Sequence, residues 1–87
     1  MGEEKPQLQL VRTIAESLCE QPDEIELSDG IDERGVLIKL YVAKSDLPRM
    51  IGKGGETANA IRQLLRALGA RNNARYSFKV DAKDSSK

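Results

Sequence analysis

The sequence contains no histidine, no tryptophan and a single cysteine. Histidine is the commonest general base and the commonest metal ligand, so its absence excludes hydrolase triads, HExxH zinc sites and zinc fingers. Cys19 has no second cysteine to pair with, which excludes an intrachain disulfide and a multi-cysteine metal site. We therefore expect a protein that is not an enzyme and that has no catalytic residues, no bound metal and no cofactor.

Long apolar runs are also missing. No run approaches the roughly 18 to 20 residues that a membrane span needs, so we expect no membrane partner. The first five residues include two acids and no apolar stretch, which is unlike a secretory signal and predicts a cytoplasmic location. The 87 residues suffice for one compact domain but not for two. We assign this domain to residues 7–82, with flexible ends at 1–6 and 83–87.

Positive charge is concentrated in one part of the chain. Between positions 44 and 79, eight basic residues stand against two acidic ones, whereas the remainder has six basic and twelve acidic residues. A local binding site for a polyanion leaves such a pattern. Scattered solubilising charge is the alternative interpretation.

Hydrophobic periodicity predicts three helical segments and three strands in the order α-β-β-α-α-β. Apolar residues at helical spacing indicate a first helix over about residues 7–20, which Pro22 ends. Alternating patterns indicate strands over residues 24–28, 36–42 and 74–81, with an Asp-Gly pair beginning the turn between the first two. The second strand is apolar on nearly both faces and is expected at the centre of the sheet. This order predicts an α+β domain of two layers.

The second and third helical segments lie on either side of a glycine cluster. Ser45 or Asp46 is placed to cap the short segment, with Pro48 in its first turn. The long segment directs a stripe of apolar residues inward, Leu64 among them. Gly69 is expected to end the long helix.

The cluster itself, Gly52-Lys53-Gly54-Gly55, forms what we call the glycine loop. Its exposed N–H groups and the N-terminus of the following helix suit one or two phosphates, and Lys53 adds a full positive charge. A P-loop is excluded because Lys53 directly follows Gly52 and no Ser or Thr comes next. A dinucleotide fingerprint is excluded because it needs a preceding strand and a glycine where Thr57 stands. A purely structural turn is the alternative.

Residues 51–61, an Ile-Gly-x-x-Gly loop followed by a helix, resemble the KH-domain signature. The chain is similar over about residues 7–82 to the small bacterial single-KH proteins, the KhpA-like family. The resemblance implies a type II KH fold, in which a three-stranded mixed sheet packs on three helices. It also implies a non-catalytic protein that binds single-stranded RNA, an RNA chaperone or post-transcriptional regulator whose loop clamps the backbone of about four nucleotides.

Carried over by position, this resemblance assigns RNA binding to the loop and two neighbours. The loop residues Gly52, Lys53, Gly54 and Gly55 match the clamp, Thr57 lines the groove beside it, and Arg49 adds attraction for phosphate. Glu56, directly after the clamp, places a carboxylate where phosphate approaches, so we expect modest affinity.

Four arginines beyond the loop each allow two interpretations, a contact with phosphate or a solvated surface. Arg62 and Arg66 are interpreted as a solvated helix face in preference to phosphate contacts. Arg71 and Arg75 fit a basic rim and an ordinary polar loop equally well.

Partners other than RNA follow only from the resemblance, which implies a homodimer or a heterodimer with a second KH protein. The alternative function is a dimerisation module of a larger complex, in which RNA binding is incidental. Leu37 and Tyr41, on the outer face of the central strand, are the residues expected to form such an interface.

Overall fold

A computed structural model of the chain describes residues 4–83, and the remaining residues of the two predicted flexible ends lie outside the described part. The order α-β-β-α-α-β and the α+β class predicted from the sequence are confirmed. The helices and strands are α1 (Pro6–Leu18), β1 (Glu26–Asp32), β2 (Gly35–Val42), α2 (Leu47–Ile51), α3 (Glu56–Asn72) and β3 (Tyr76–Ala82). Single 3₁₀ turns occupy Pro22–Glu24, Lys44–Asp46 and Lys53–Gly55.

The three strands form one mixed sheet with β2 at its centre, as its apolar character predicts. β1 pairs with β2 in antiparallel fashion, whereas β3 pairs with β2 in parallel. A parallel pair needs a crossover connection, and here α2 and α3 supply it. This crossover places the glycine loop, which joins the two helices, on the helical side of the sheet.

The core lies between the inner face of the sheet and the helices. Ile38, Leu40 and Val42 of β2 point inward and are fully buried. They pack with residues from each helix and from β3, namely Val11, Ala15, Met50, Ala58, Ile61, Leu65 and Phe78. Successive residues of a strand point to opposite faces of the sheet. Leu37, Lys39 and Tyr41 therefore share the outer face, where Lys39 is exposed and the other two are half-buried.

The first strand lies further along the chain than the pattern predicts. It was expected over residues 24–28 but occupies Glu26–Asp32, because its pairing with β2 continues to Asp32 opposite Gly35. The Asp29-Gly30 pair therefore lies inside the strand. The turn is formed instead by two residues, 33 and 34.

The third helix continues past its predicted end. Gly69 lies inside α3 and is buried, and Asn73 ends the helix in the left-handed conformation with φ of 56°. A side chain at position 69 would collide with the carbonyl oxygen of Ala74. Glycine is therefore required at position 69 because the chain packs closely there, and not because the helix ends there. Leu64, predicted to point inward, is 49% exposed because α3 turns that flank away from the sheet.

Both ends of the described chain make specific contacts. Arg12 lies 2.8 Å from the carboxylate of Glu4, and this pairing holds the pKa of Glu4 below its usual range. At the other end, the backbone N–H of Lys83 donates a 2.6 Å hydrogen bond to the carbonyl of Val42. The Lys83 ammonium also lies 3.0 Å from Glu26.

Candidate nucleic-acid interface

Three of the four residues of the glycine loop have backbone conformations that favour glycine. Gly52, Gly54 and Gly55 have φ values of 81°, 66° and 81°. Side chains rarely tolerate this region, since their Cβ atoms approach the backbone too closely. The N–H of Gly52 bonds the carbonyl of Pro48 at 2.8 Å, and that of Gly55 bonds the carbonyl of Gly52 at 3.1 Å. The loop is thus a tight, hydrogen-bonded connection between α2 and α3.

The first and third loop residues differ in what surrounds them. A Cβ at Gly52 would collide with the Thr57 side chain and lie 2.7 Å from the Thr57 nitrogen. No atom lies within 4 Å of the position that a Cβ would take at Gly54. Gly52 therefore serves close packing, whereas Gly54 leaves the tip of the loop open to an approaching ligand.

The loop ends at the N-terminus of the 17-residue helix α3. Gly55 occupies the N-cap and has no side chain with which to cap the first-turn N–H groups. Together with the helix dipole, these groups create a positive potential at the loop. Exposed Lys53 adds to it, and exposed Glu56 in the first turn opposes it. The arrangement favours an anion that bonds the backbone.

Arg49, predicted to attract phosphate, already contacts two carboxylates. Its guanidinium lies 3.3 Å from the Glu20 carboxylate and 3.7 Å from that of Asp46. The positive charge at this position is therefore largely compensated within the protein.

Asp46 is positioned differently from the predicted helix cap. It stands at the N-cap of α2, but its side chain accepts no hydrogen bond from that helix. Its carboxylate, 1% exposed, accepts bonds of 3.0 Å from the backbone N–H groups of Glu20 and Gln21. The bond from Glu20 has the largest effect on the pKa of Asp46, and both bonds lower it. The prediction that Ser45 or Asp46 caps α2 is wrong, because Ser45 also bonds elsewhere, to the Gln21 side chain at 2.9 Å.

Thr57 lies beside the loop but faces α1. With Ile14, Leu18 and Leu64 it lines a shallow hollow between α1 and α3. The structure thus places Thr57 against Gly52 on one flank of α3, while the arginines of that helix occupy the other flank.

The structure also forms a groove that the sequence analysis did not predict. Arg62, Arg66 and Arg75 line an open groove of about 610 Å³ between α3 and β3, which we call the arginine groove. Phe78 forms part of its wall, with the Arg62 guanidinium 5.9 Å from the ring centroid. Helical spacing relates Arg62 to Arg66, but only the tertiary structure brings Arg75 to them. One feature of the sequence could have indicated this groove, namely that residues 57–80 contain no acidic residue.

Within residues 4–83 no cluster of three or more His, Cys, Asp or Glu side chains is arranged to hold a metal ion. None of the helices in this described part has the length and apolar character needed to cross a bilayer. Cys19 is buried at the end of α1, and burial raises the pKa of its thiol.

Comparison with known proteins gives consistent matches over most of the chain. The family described as KhpA/KhpB, KH domain matches residues 8–80. The RNA-binding protein KhpA of Clostridium acetobutylicum is 40% identical over 72 residues, which cover 83% of this chain and 96% of that protein. RNA-binding protein KhpA of Borreliella burgdorferi is 34% identical over 80 residues, covering 92% and 98%. That of Chlamydia pneumoniae is 36% identical over 67 residues, covering 77% and 86%.

Proposed function

The chain belongs to the KhpA/KhpB KH-domain family, and from this membership we propose that it is a non-catalytic protein that binds single-stranded RNA through the glycine loop. The observation that carries the proposal is the conformation of that loop. It stands open at Gly54, has positive φ at three glycines and leads into the uncapped N-terminus of α3. The relatives named RNA-binding protein KhpA support RNA as the ligand.

In the proposed complex, the RNA backbone lies across the loop. The N–H groups of Gly52 and Gly55 already bond carbonyls of the protein, so the N–H groups of Lys53 and Gly54 and of the first turn of α3 beyond Glu56 donate to phosphate oxygens. Lys53 supplies the countercharge. The absence of a side chain at Gly54 lets a phosphate approach the backbone closely. Arg49 and Thr57 have secondary roles, since Arg49 shares its charge with Glu20 and Asp46 and Thr57 supports Gly52.

A single clamp for about four nucleotides gives modest affinity. We expect a Kd on the order of micromolar or weaker, which rises steeply with salt because each phosphate contact releases counterions. Such weak, backbone-directed binding suits an RNA chaperone or post-transcriptional regulator that meets many transcripts.

The test is retention of single-stranded RNA on filters across a salt series, with Lys53→Asp/Gly54→Asp as the variant. Acidic side chains in the loop repel phosphate, so retention is expected to vanish. The matched control is Lys39→Asp/Gly30→Asp, which makes the same chemical changes on the exposed outer face of the sheet. The control should bind as the wild type does. Equal binding by all three folded proteins, or binding by none, contradicts the proposal.

A second candidate function is pairing with another KH chain, as a homodimer or a heterodimer. The favouring observation is an apolar surface between α1 and α3, where Leu18 is 38% and Leu64 is 49% exposed. Pairing two clamps would raise the effective affinity for one RNA strand. Light scattering of the Leu64→Glu and Leu37→Glu variants tests whether a dimer forms through this surface or through the outer face of the sheet. Loss of a dimer in only one variant identifies the interface, and a wild-type monomer at all concentrations contradicts self-pairing.

A further inference from the structure

The outer face of the sheet holds two lysines side by side. Lys39 of β2 is in register with Lys79 of β3, and both side chains are exposed. Within residues 4–83 the ion pairs are made by other basic residues, so no carboxylate in that part of the chain lies within 4 Å of either ammonium. Like charges on cross-strand neighbours are unfavourable, and an anion placed between them relieves their repulsion.

Apolar residues lie on both sides of this lysine pair along β2. Leu37 precedes Lys39 by two residues and Tyr41 follows it by two, so each lies about 7 Å from it on the same face. Leu37 also lines a hollow of about 200 Å³ over β1, with Ile31, 84% exposed, at its rim. Gly30 stands opposite Leu37 there, and no atom lies within 4 Å of the position that its Cβ would take. The hollow is therefore open to an apolar side chain of a partner.

Acidic residues on the same face disfavour a nucleic acid as the occupant. Glu26 and Asp81 are the cross-strand neighbours of Tyr41 on either side. At the other end, the cross-strand neighbours of Leu37 are a glycine and a serine, which carry no charge. Positive charge is thus confined to one row of the sheet, and the acidic row beside it repels a second phosphate. The face suits a single carboxylate between two apolar contacts.

An α-helix that lies along β2 matches this spacing. Residues four positions apart lie on the same side of a helix and are separated by about 6 Å along its axis. A carboxylate with one apolar residue four positions before it and another four positions after it spans about 12 Å. The distance from Leu37 to Tyr41 along the strand is about 13 Å.

The helices of this chain lack that pattern. Glu16 is the one acidic residue of α1, and the residue four positions later is Glu20. Glu56 is the one acidic residue of α3, and the residue four positions earlier is Gly52. The short helix α2 contains no acidic residue. The matching helix therefore belongs to another protein and not to a second copy of this chain.

We propose that the outer face of the sheet docks an amphipathic helix of a partner protein, which lies along β2. A Glu or Asp of that helix binds Lys39 and Lys79, and its apolar residues four positions to either side contact Leu37 and Tyr41. The docked helix covers the open face of the sheet as a third layer. The glycine loop lies on the opposite, helical side, so the protein can hold RNA and this partner at the same time.

The test begins with selection from a displayed library of helical peptides on the immobilised full chain. Selected peptides are expected to carry Glu or Asp with apolar residues four positions before and after it. A synthetic peptide of the selected sequence is the probe, and fluorescence anisotropy measures its Kd. Lys39→Glu/Lys79→Glu should raise that Kd at least about tenfold. Lys44→Glu/Arg71→Glu, the control, reverses two exposed charges outside the sheet and should leave it unchanged.

Two further measurements make the outcome specific to the lysine pair. A peptide in which the acid is replaced by Lys should bind the Lys39→Glu/Lys79→Glu protein more tightly than the original peptide does, which also shows that this variant is folded. Lys39→Gln/Lys79→Gln removes the charges without adding acids to the face, and it should raise the Kd of the original peptide about threefold or more.

Four results would overturn the proposal. They are a selection without this acidic pattern or without any binder, peptide binding that is lost in Leu64→Glu but kept in Lys39→Glu/Lys79→Glu, dissociation of a wild-type dimer by the latter variant, and loss of oligouridine binding in it. The third result makes a second copy the occupant, and the fourth makes the face a site for RNA. Loss of oligouridine binding in Lys53→Asp/Gly54→Asp does not bear on the docked helix, so the two proposals fail separately.

Discussion

The backbone N–H of Glu20 donates a 3.0 Å hydrogen bond to the carboxylate of Asp46, a residue 26 positions later. This bond joins the end of α1 to the start of α2, the helix that leads into the glycine loop. Asp46 is nearly inaccessible to solvent, so its negative charge is stabilised by the N–H groups of Glu20 and Gln21 and by Arg49 in place of water. The position of the loop is therefore tied to the end of the first helix.

We expect Asp46→Asn to lower the unfolding midpoint by several degrees at pH 7. An amide replaces one accepting oxygen with a donor that faces an N–H group of Glu20 or Gln21. The pKa of Asp46 is lowered in the folded protein, so its stabilisation is complete above the ordinary aspartate pKa of about 3.9. The stabilisation is lost as the pH falls from there to the lower, folded value. Urea unfolding measures the free energy of unfolding of both proteins as a function of pH. The difference between wild type and variant should narrow across that interval, and a constant difference would contradict the role of the charge.

Gly69→Ala is expected to destabilise the fold by about 1–3 kcal/mol, although alanine normally stabilises a helix interior by about 1 kcal/mol. The reason is the collision of the new Cβ with the carbonyl oxygen of Ala74. Gly30→Ala is the control, because no atom lies within 4 Å of its Cβ position. Urea unfolding of both variants checks the sign. A more stable Gly69→Ala protein would show that the turn after α3 adjusts without cost.

The glycines of the loop should differ in their sensitivity to alanine. Gly54→Ala has open space and is expected to cost only the strain of positive φ, about 1–2 kcal/mol. Gly52→Ala adds the collision with Thr57 and should cost more. Thermal or urea unfolding measures the loss of stability in each variant. Equal losses of stability would mean that packing against Thr57 does not constrain the loop.

Glu56→Gln should strengthen RNA binding by about two- to fivefold at low salt, because it removes a carboxylate beside the proposed phosphate site. The gain should shrink as salt screens the charge. Glu33→Gln, in the exposed turn between β1 and β2, removes one charge at a distance and should leave binding unchanged. Anisotropy titrations of both variants measure the effect, and weaker binding by Glu56→Gln would place the RNA elsewhere.

The sequence predicted the family, the order of the helices and strands, the central strand and the glycine loop, all of which have short-range signals. A loop such as Gly52-Lys53-Gly54-Gly55 is visible because its spacing and its flanking helices are local features. The partners of Asp46 and the position of Arg75 beside Arg62 were not visible, because they depend on contacts between distant parts of the chain. The first strand was misplaced at both ends and the third helix at its C-terminal end, because pairing and packing overrode the local glycine signals.

The most direct test of the central claim is a titration of ¹⁵N-labelled protein with a short single-stranded RNA, followed by two-dimensional NMR. The largest shifts are expected on the amide groups of residues 52–58, which form the loop and the first turn of α3. These shifts should disappear in Lys53→Asp/Gly54→Asp and persist in Lys39→Asp/Gly30→Asp. Shifts concentrated on the outer sheet face around Leu37 and Tyr41, or the absence of any shift at saturating RNA, would contradict the account.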